Sequence, residues 1–158
     1  MKIIDAARWF GMVLVIVNRN IAGHKKKMKP FSNIIVYSKA KNGIGTKLQE
    51  AVEAILPRAS VETFHSISRL SKRLHRPALN FPILVLLAIN RDELENILAI
   101  QDLLLDSRIV LILPDKEDDT LALGHTLRPR FVSYRDSSFK DVDAVLGKMV
   151  SRPETVKT

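Results

Sequence analysis

Phe81-Pro-Ile-Leu-Val-Leu-Leu-Ala-Ile-Asn90 is a continuous apolar run with a proline near its start and an asparagine at its exit. Nothing in it alternates between polar and apolar, so it reads as a strand buried on both faces, in the middle of a parallel sheet. Near its end stands Ala88, whose methyl group can neither donate a proton nor attack. The run therefore points to a fold. Its end argues against the chemistry that such a fold most often carries.

Outward from that run, strand and helix alternate five times from Asn33 onward. Ile34–Tyr37 is a short apolar strand, followed by a polar, glycine-containing loop over Lys39–Gly45. Thr46 with Gln49 has capping-box spacing and opens a helix to Leu56, with Leu48, Val52 and Ile55 inward and Pro57 as the stop. Val61–His65 is a less apolar strand, nearer an edge. Ser66–Arg76 is a helix with Ile67, Leu70 and Leu74 inward. Phe81–Ile89 is the third strand. Asn90 and Glu93 form a second capping box for a helix to Asp106, whose buried residues are Leu94, Ile97, Leu98, Leu104 and Leu105. Ile109–Leu113, a short helix to about Leu127 containing Gly124, the strand Phe131–Tyr134, and a helix capped by Ser138 complete the series. The last helix turns Phe139, Val142, Val145, Leu146, Met149 and Val150 inward.

Five β-α units imply parallel strands, right-handed crossovers and helices on both sheet faces. The first, third and fourth strands are the most apolar. The expectation is an α/β fold, a three-layer α/β/α sandwich whose five-stranded parallel sheet has the flavodoxin-like order 2-1-3-4-5. Ligands of such folds gather at the carboxyl ends of the strands. Here that rim holds Ser38–Gly45, Asn90, Arg91, Pro114–Asp119 and Arg135–Ser138.

The 158 residues fit one domain with short extensions, and 46% hydrophobic with 27% charged residues is a globular composition. The chain has no cysteine, which removes disulfides, thiolate metal sites and a catalytic thiol, and fits a reducing compartment; a cytoplasmic location is expected. The net charge is +8, but residues 1–32 hold seven of the 25 basic residues and one of the 17 acids. The remainder is nearly balanced, at +2, so the domain's charge does not imply a nucleic-acid partner. Within residues 1–30, Trp9–Val17 is an apolar stretch of nine residues, far short of the roughly 20 that span a bilayer. A basic run, His24-Lys-Lys-Lys-Met-Lys29, follows it. The expectation is a leader over 1–30, with Met28 as an alternative start and a membrane role only if that leader is real. A domain over 31–150 and a polar tail over 151–158 complete the organisation.

The element order, the element lengths, the Pro82-Ile-Leu-Val-Leu-Leu87 strand and the final helix together resemble a response-regulator receiver domain, from Asn33 to about Val150. The resemblance is one of pattern. A receiver needs an acidic pair after its first strand for Mg²⁺, an aspartate ending its third to accept phosphate, a hydroxyl after its fourth and a lysine after its fifth. Those places fall here on Ser38 and Lys39, on Ala88, on Leu113 or Pro114, and on Tyr134 beside Arg135. Mg²⁺ wants hard oxygen ligands and phosphoryl transfer wants a nucleophile; neither is present at these positions. The resemblance thus implies a degenerate receiver. It would be a non-enzymatic bacterial signalling module of the two-component kind, with no catalytic residue, metal or cofactor, that binds another protein, alone or as a homodimer.

Two constellations bear on binding. Lys39-Ala-Lys-Asn-Gly-Ile-Gly-Thr-Lys47 lies between a strand and a helix N-terminus, where backbone N–H groups favour anions. Lys41, Gly43, Gly45, Thr46 and Lys47 are its candidate anion-binding residues, for a phosphate or nucleotide; the spacing matches neither a Walker loop nor a dinucleotide fingerprint. The competing reading is a turn that uses its glycines for positive φ. Tyr134 and Arg135, with Arg69 and Arg73 on a helix that also carries Lys72, His75 and Arg76, are candidate contact residues for a protein partner; a solvated helix face is the competing reading for the second group. Pro114–Asp119 reads as a helix-capping loop through Asp118 or Asp119 in preference to a cation site. Of the four histidines none pairs at metal-ligand spacing, and His65 reads as a hydrogen-bonded structural residue.

Overall fold

The computed structural model describes residues 33–55, 60–76 and 82–151. The leader with its alternative start at Met28, the stop at Pro57, Phe81 and the tail beyond Ser151 lie outside the described residues. Five strands, β1 (Asn33–Ser38), β2 (Ser60–Phe64), β3 (Ile83–Leu87), β4 (Arg108–Leu113) and β5 (Phe131–Tyr134), form one sheet. Every neighbouring pair is parallel, in the order β2-β1-β3-β4-β5. The order expected from the sequence is thus the order observed, and the topology is flavodoxin-like. Ile34 stands opposite Val61 on one side and Ile83 on the other, so β1 is central, as its apolar sequence requires.

The strands are as polar as their places allow. All of β3 and β4 is buried, Arg108 included, while β2 and β5 at the edges are mostly half-buried. Alternate residues of the central strands feed two cores. On one face Ile34, Val36, Val85, Leu87, Val110 and Ile112 meet Leu48 and Val52 of α1 (Ile44–Ile55) and Phe139, Val142 and Leu146 of α5 (Lys140–Ser151). On the other, Ile35, Tyr37, Leu84, Leu86, Ile109, Leu111 and Leu113 meet Leu70 of α2 (Ile67–His75), Leu94 and Ile97 of α3 (Arg91–Leu98) and Leu104 of a 3₁₀ turn (Gln101–Leu104). Leu121 and Leu123 of α4 (Asp118–His125) pack on this second face too. The structure is the three-layer sandwich expected. Among the described residues no helix is long and apolar enough to cross a membrane.

Several element ends differ from expectation, each for a local reason. The first helix begins at Ile44, not Thr46. Thr46 is no cap: its hydroxyl donates back to the Lys41 carbonyl at 2.9 Å. The third helix ends at Leu98, and the chain tightens into the 3₁₀ turn, which rotates Leu105 out of the stripe to 73% exposure. Asn90 does cap α3, its Oδ1 accepting from the Glu93 N–H at 2.8 Å, but the Glu93 carboxylate does not return to complete the box. The cap position of α4 is Glu117, and Asp118 and Asp119 lie in its first turn. Asp115 accepts from the Glu117 N–H at 3.0 Å in the loop ahead of α4, and no side chain caps the helix. Before α5 it is Ser137 that accepts from the Phe139 N–H at 3.2 Å, with Ser138 at a marginal 3.5 Å from the Lys140 N–H. Phe139 holds φ at +65°, a conformation that costs a bulky residue of order 1 kcal/mol or more. Burial of its ring to 1% exposure offsets that cost.

Candidate functional site

The carboxyl ends of β1, β3, β4 and β5 converge on one rim. β1 ends in Ser38, 1% exposed, whose hydroxyl donates to the Ala40 carbonyl at 3.0 Å. The Ser38 carbonyl in turn accepts from His65 Nδ1 at 2.7 Å, which makes Nδ1 the protonated nitrogen of that ring. His65 is the hydrogen-bonded structural residue expected. Lys39 follows and is exposed to solvent. β3 delivers Ala88, fully buried, its N–H bonded to the Ile112 carbonyl at 2.9 Å. β4 delivers Leu113, also fully buried.

Arg135 closes the rim. Its backbone N–H is held by the Leu113 carbonyl at 2.9 Å, and its Nη1 reaches the Ile89 carbonyl at 2.6 Å. A cation thus lies beside the end of β3. Tyr134, half-buried, lies under the Lys116 ammonium, 5.0 Å from its ring centroid. Asp115, on this rim, has a displaced titration. Its hydrogen bond from Thr120, then the Glu117 N–H, hold it below the ordinary carboxylate range, and Arg91 adds to the effect. Among the described residues no three histidine or carboxylate side chains converge in a way that could hold a metal ion.

The anion-binding candidates are dispersed. The Gly45 N–H bonds to the Asn42 carbonyl at 3.3 Å and the Thr46 hydroxyl is held by Lys41, so the loop's own carbonyls occupy these donors. Lys41 is exposed, and Lys47 lies over the Phe139 ring at 5.8 Å, on the side of α5. Only Gly43 uses positive φ, at +62°. Gly45 is helical and buried for another reason: a Cβ there would meet the Ala40 carbonyl oxygen and come within 2.8 Å of Ser38 Oγ.

The protein-contact candidates also divide. Arg69 is exposed, but Arg73 is not a free surface cation: its Nε reaches Glu62 at 2.7 Å, and its side chain is 13% exposed. Sequence reasoning missed the polar cluster beneath α3. Glu93 is 2% exposed, accepting from the Tyr37 hydroxyl at 3.0 Å and from Asn96 Nδ2 at 3.2 Å. Burial first, then the Glu93 hydrogen bond and charge, hold the Tyr37 phenol well above its ordinary range, so it stays a donor. A tyrosine ending a buried strand requires such a partner, and that was the available signal. No family model, curated protein or solved structure matches the chain, and the chemistry open to this rim is what its own side chains allow.

Proposed function

We propose that this chain is a receiver-like signalling domain of bacterial type that has no phosphoacceptor and works by binding another protein. The observation that carries the reading is the pairing at the end of β3. Ala88 is buried where a nucleophile would stand, and the Arg135 guanidinium is bonded to the next carbonyl, that of Ile89. A methyl group cannot take a phosphoryl group, and a fixed cation at that place repels Mg²⁺. A rim closed in this way favours one conformation, which suits a constitutive docking module rather than a phosphorylation switch. Arg135 and the Lys116–Tyr134 stack offer the β5 side of the rim to a partner. A cytoplasmic setting accords with a chain that lacks cysteine. The reading of Lys39–Lys47 as an anion site has less support, because the loop carbonyls compete for its donors.

The test is incubation with acetyl phosphate and Mg²⁺, read by intact mass and by lability of any adduct to hydroxylamine. The expected outcome is an unmodified chain. A stoichiometric acyl-phosphate would overturn the proposal.

A further inference from the structure

The α2–α3 face carries its surface charge in two separate blocks. Arg69 and Lys72 stand at i and i+3 on α2, a helix without a single acid, and Arg76 follows at its C-cap with extended backbone; all three are exposed. Its one inward cation, Arg73, is already neutralised by Glu62. Beside it, α3 and the turn that follows present Asp92, Glu95, Asp102 and Asp106, all exposed, with Arg91 alone against them. That arginine is spent on Glu95 at 3.7 Å. The two blocks are neighbours, because α2 packs directly against the 3₁₀ turn. Yet no ion pair joins them among the described residues. Leu105, the one large hydrophobic residue described as exposed, lies between Asp102 and Asp106 in the acidic block.

Stability of the single chain does not account for this arrangement. Cations late in a helix are favoured by its dipole, which accommodates Lys72 and Arg76. Arg69 sits in the first turn, where the dipole disfavours a cation, and no acid is there to compensate. Interspersed charges are the ordinary state of a solvated surface, and the opposite face has them. Lys47 stands with Glu50 and Glu53 on α1, and Lys140 and Lys148 with Asp141 on α5.

We propose that the chain forms a two-fold dimer through this face, α2 of one copy lying on α3 and the 3₁₀ turn of the other. A two-fold axis between adjacent basic and acidic blocks sets each on its opposite twice over, which is the self-complementarity an isologous contact needs. Leu105 is covered in the process. The occupant is a second copy because both halves of the required surface are present on one chain, in matching strength: three free cations against an acidic block whose net charge, after Arg91, is three negative.

The experiment is sedimentation equilibrium on the full chain at low and high salt. A dimer is expected at low salt, its dissociation constant rising by about tenfold or more as salt shortens the Debye length. Two charge-reversed variants, Arg69→Glu/Lys72→Glu/Arg76→Glu and Asp92→Lys/Glu95→Lys/Asp102→Lys, are each expected to be folded by circular dichroism and monomeric. An equimolar mixture of the two is expected to restore a dimer. A wild-type monomer throughout overturns the proposal, as does a dimer that either variant retains or a mixture that stays monomeric. Should a variant fail to fold, titrating salt against Leu105→Glu in its place reads the same interface. Retention of the dimer by Leu105→Glu would overturn the proposal.

Discussion

The two faces of the sheet bury their helices by different means. Against α1 and α5 the core is mainly apolar but buries Ser133, bonded to Asp141, and Arg108, whose Nη1 donates to the Met149 carbonyl; α1 is seated by a backbone contact, Gly45 passing so close to the β1 loop that no side chain fits. Against α2, α3 and α4 the core encloses a carboxylate, Glu93, tied to Tyr37 and Asn96, and the exposed surface sorts its charges. The second holds its buried carboxyl group in a fixed place through hydrogen bonds to two side chains. The comparison teaches that both faces bury polar groups, and that among the described residues the second alone encloses a fully buried acidic side chain.

The largest effect that would sharpen this contrast is expected on the apolar face. Gly45→Ala drives a methyl group into a backbone carbonyl, which has no flexible end to yield. The expected cost is about 3 kcal/mol or more, measured by urea denaturation. Gly147→Ala, in α5 of the same face with open space around its Cβ position, is expected to gain about 0.5–1 kcal/mol from helix propensity. Two glycine-to-alanine changes of opposite sign would establish close approach as the purpose of Gly45. Equal and small effects would break the account of that face.

On the polar face the expected effect is smaller. Tyr37→Phe removes one donor from the buried Glu93 carboxylate, at a cost of about 1–3 kcal/mol near neutral pH. It also changes the alkaline limb. The folded-state phenol titrates above its ordinary value, so its contribution is complete below about pH 10 and is lost as pH rises past that point. The wild type should therefore lose stability in that window more steeply than Tyr37→Phe, as read by chemical denaturation at several pH values. Parallel slopes for the two proteins would mean that Tyr37 is not the buried donor described.

The difference between the faces also decides what could be read from sequence. An unbroken apolar run such as Ile83–Leu87 has one economical interpretation, and the polarity of β2 and β5 orders the strands around it. The apolar stripes of α2 and α5 were legible for the same reason, since a period of 3.6 survives without knowledge of neighbours. Gly45 was not legible, because a glycine two residues from another reads as a pair of turn residues, and only Gly43 has the positive φ that the reading supposes. Leu105 followed the stripe of α3 on paper, but a 3₁₀ turn breaks the period between them. At the rim, the inert methyl group of Ala88 at the end of β3 was visible in one residue. The closure by Arg135 joins positions 46 residues apart, and no local pattern announces it. Glu93 carried the spacing of a capping box and used half of it, its carboxylate turning to a tyrosine 56 residues away.

The smallest effect returns to the α1–α5 face, at a polar side chain of α5. Asp143 of α5 is half-buried, and its Oδ1 is fully covered with no hydrogen-bond partner among the described residues. Burial, and after it the neighbouring Asp141, raise its titration above the ordinary carboxylate value. A carboxyl group whose folded-state value is raised favours folding only where it is protonated in both states. That condition holds below about pH 4 and fails as pH climbs, so at neutral pH the ionised group opposes folding. Asp143→Asn is therefore expected to raise stability at pH 7 by up to about 1 kcal/mol, and to leave it unchanged near pH 3. Thermal denaturation at the two pH values reads the difference directly. A gain of equal size at both would assign the effect to helix propensity or shape rather than to charge, and the face would then have no electrostatic penalty to set against the paired carboxylate on the other side of the sheet.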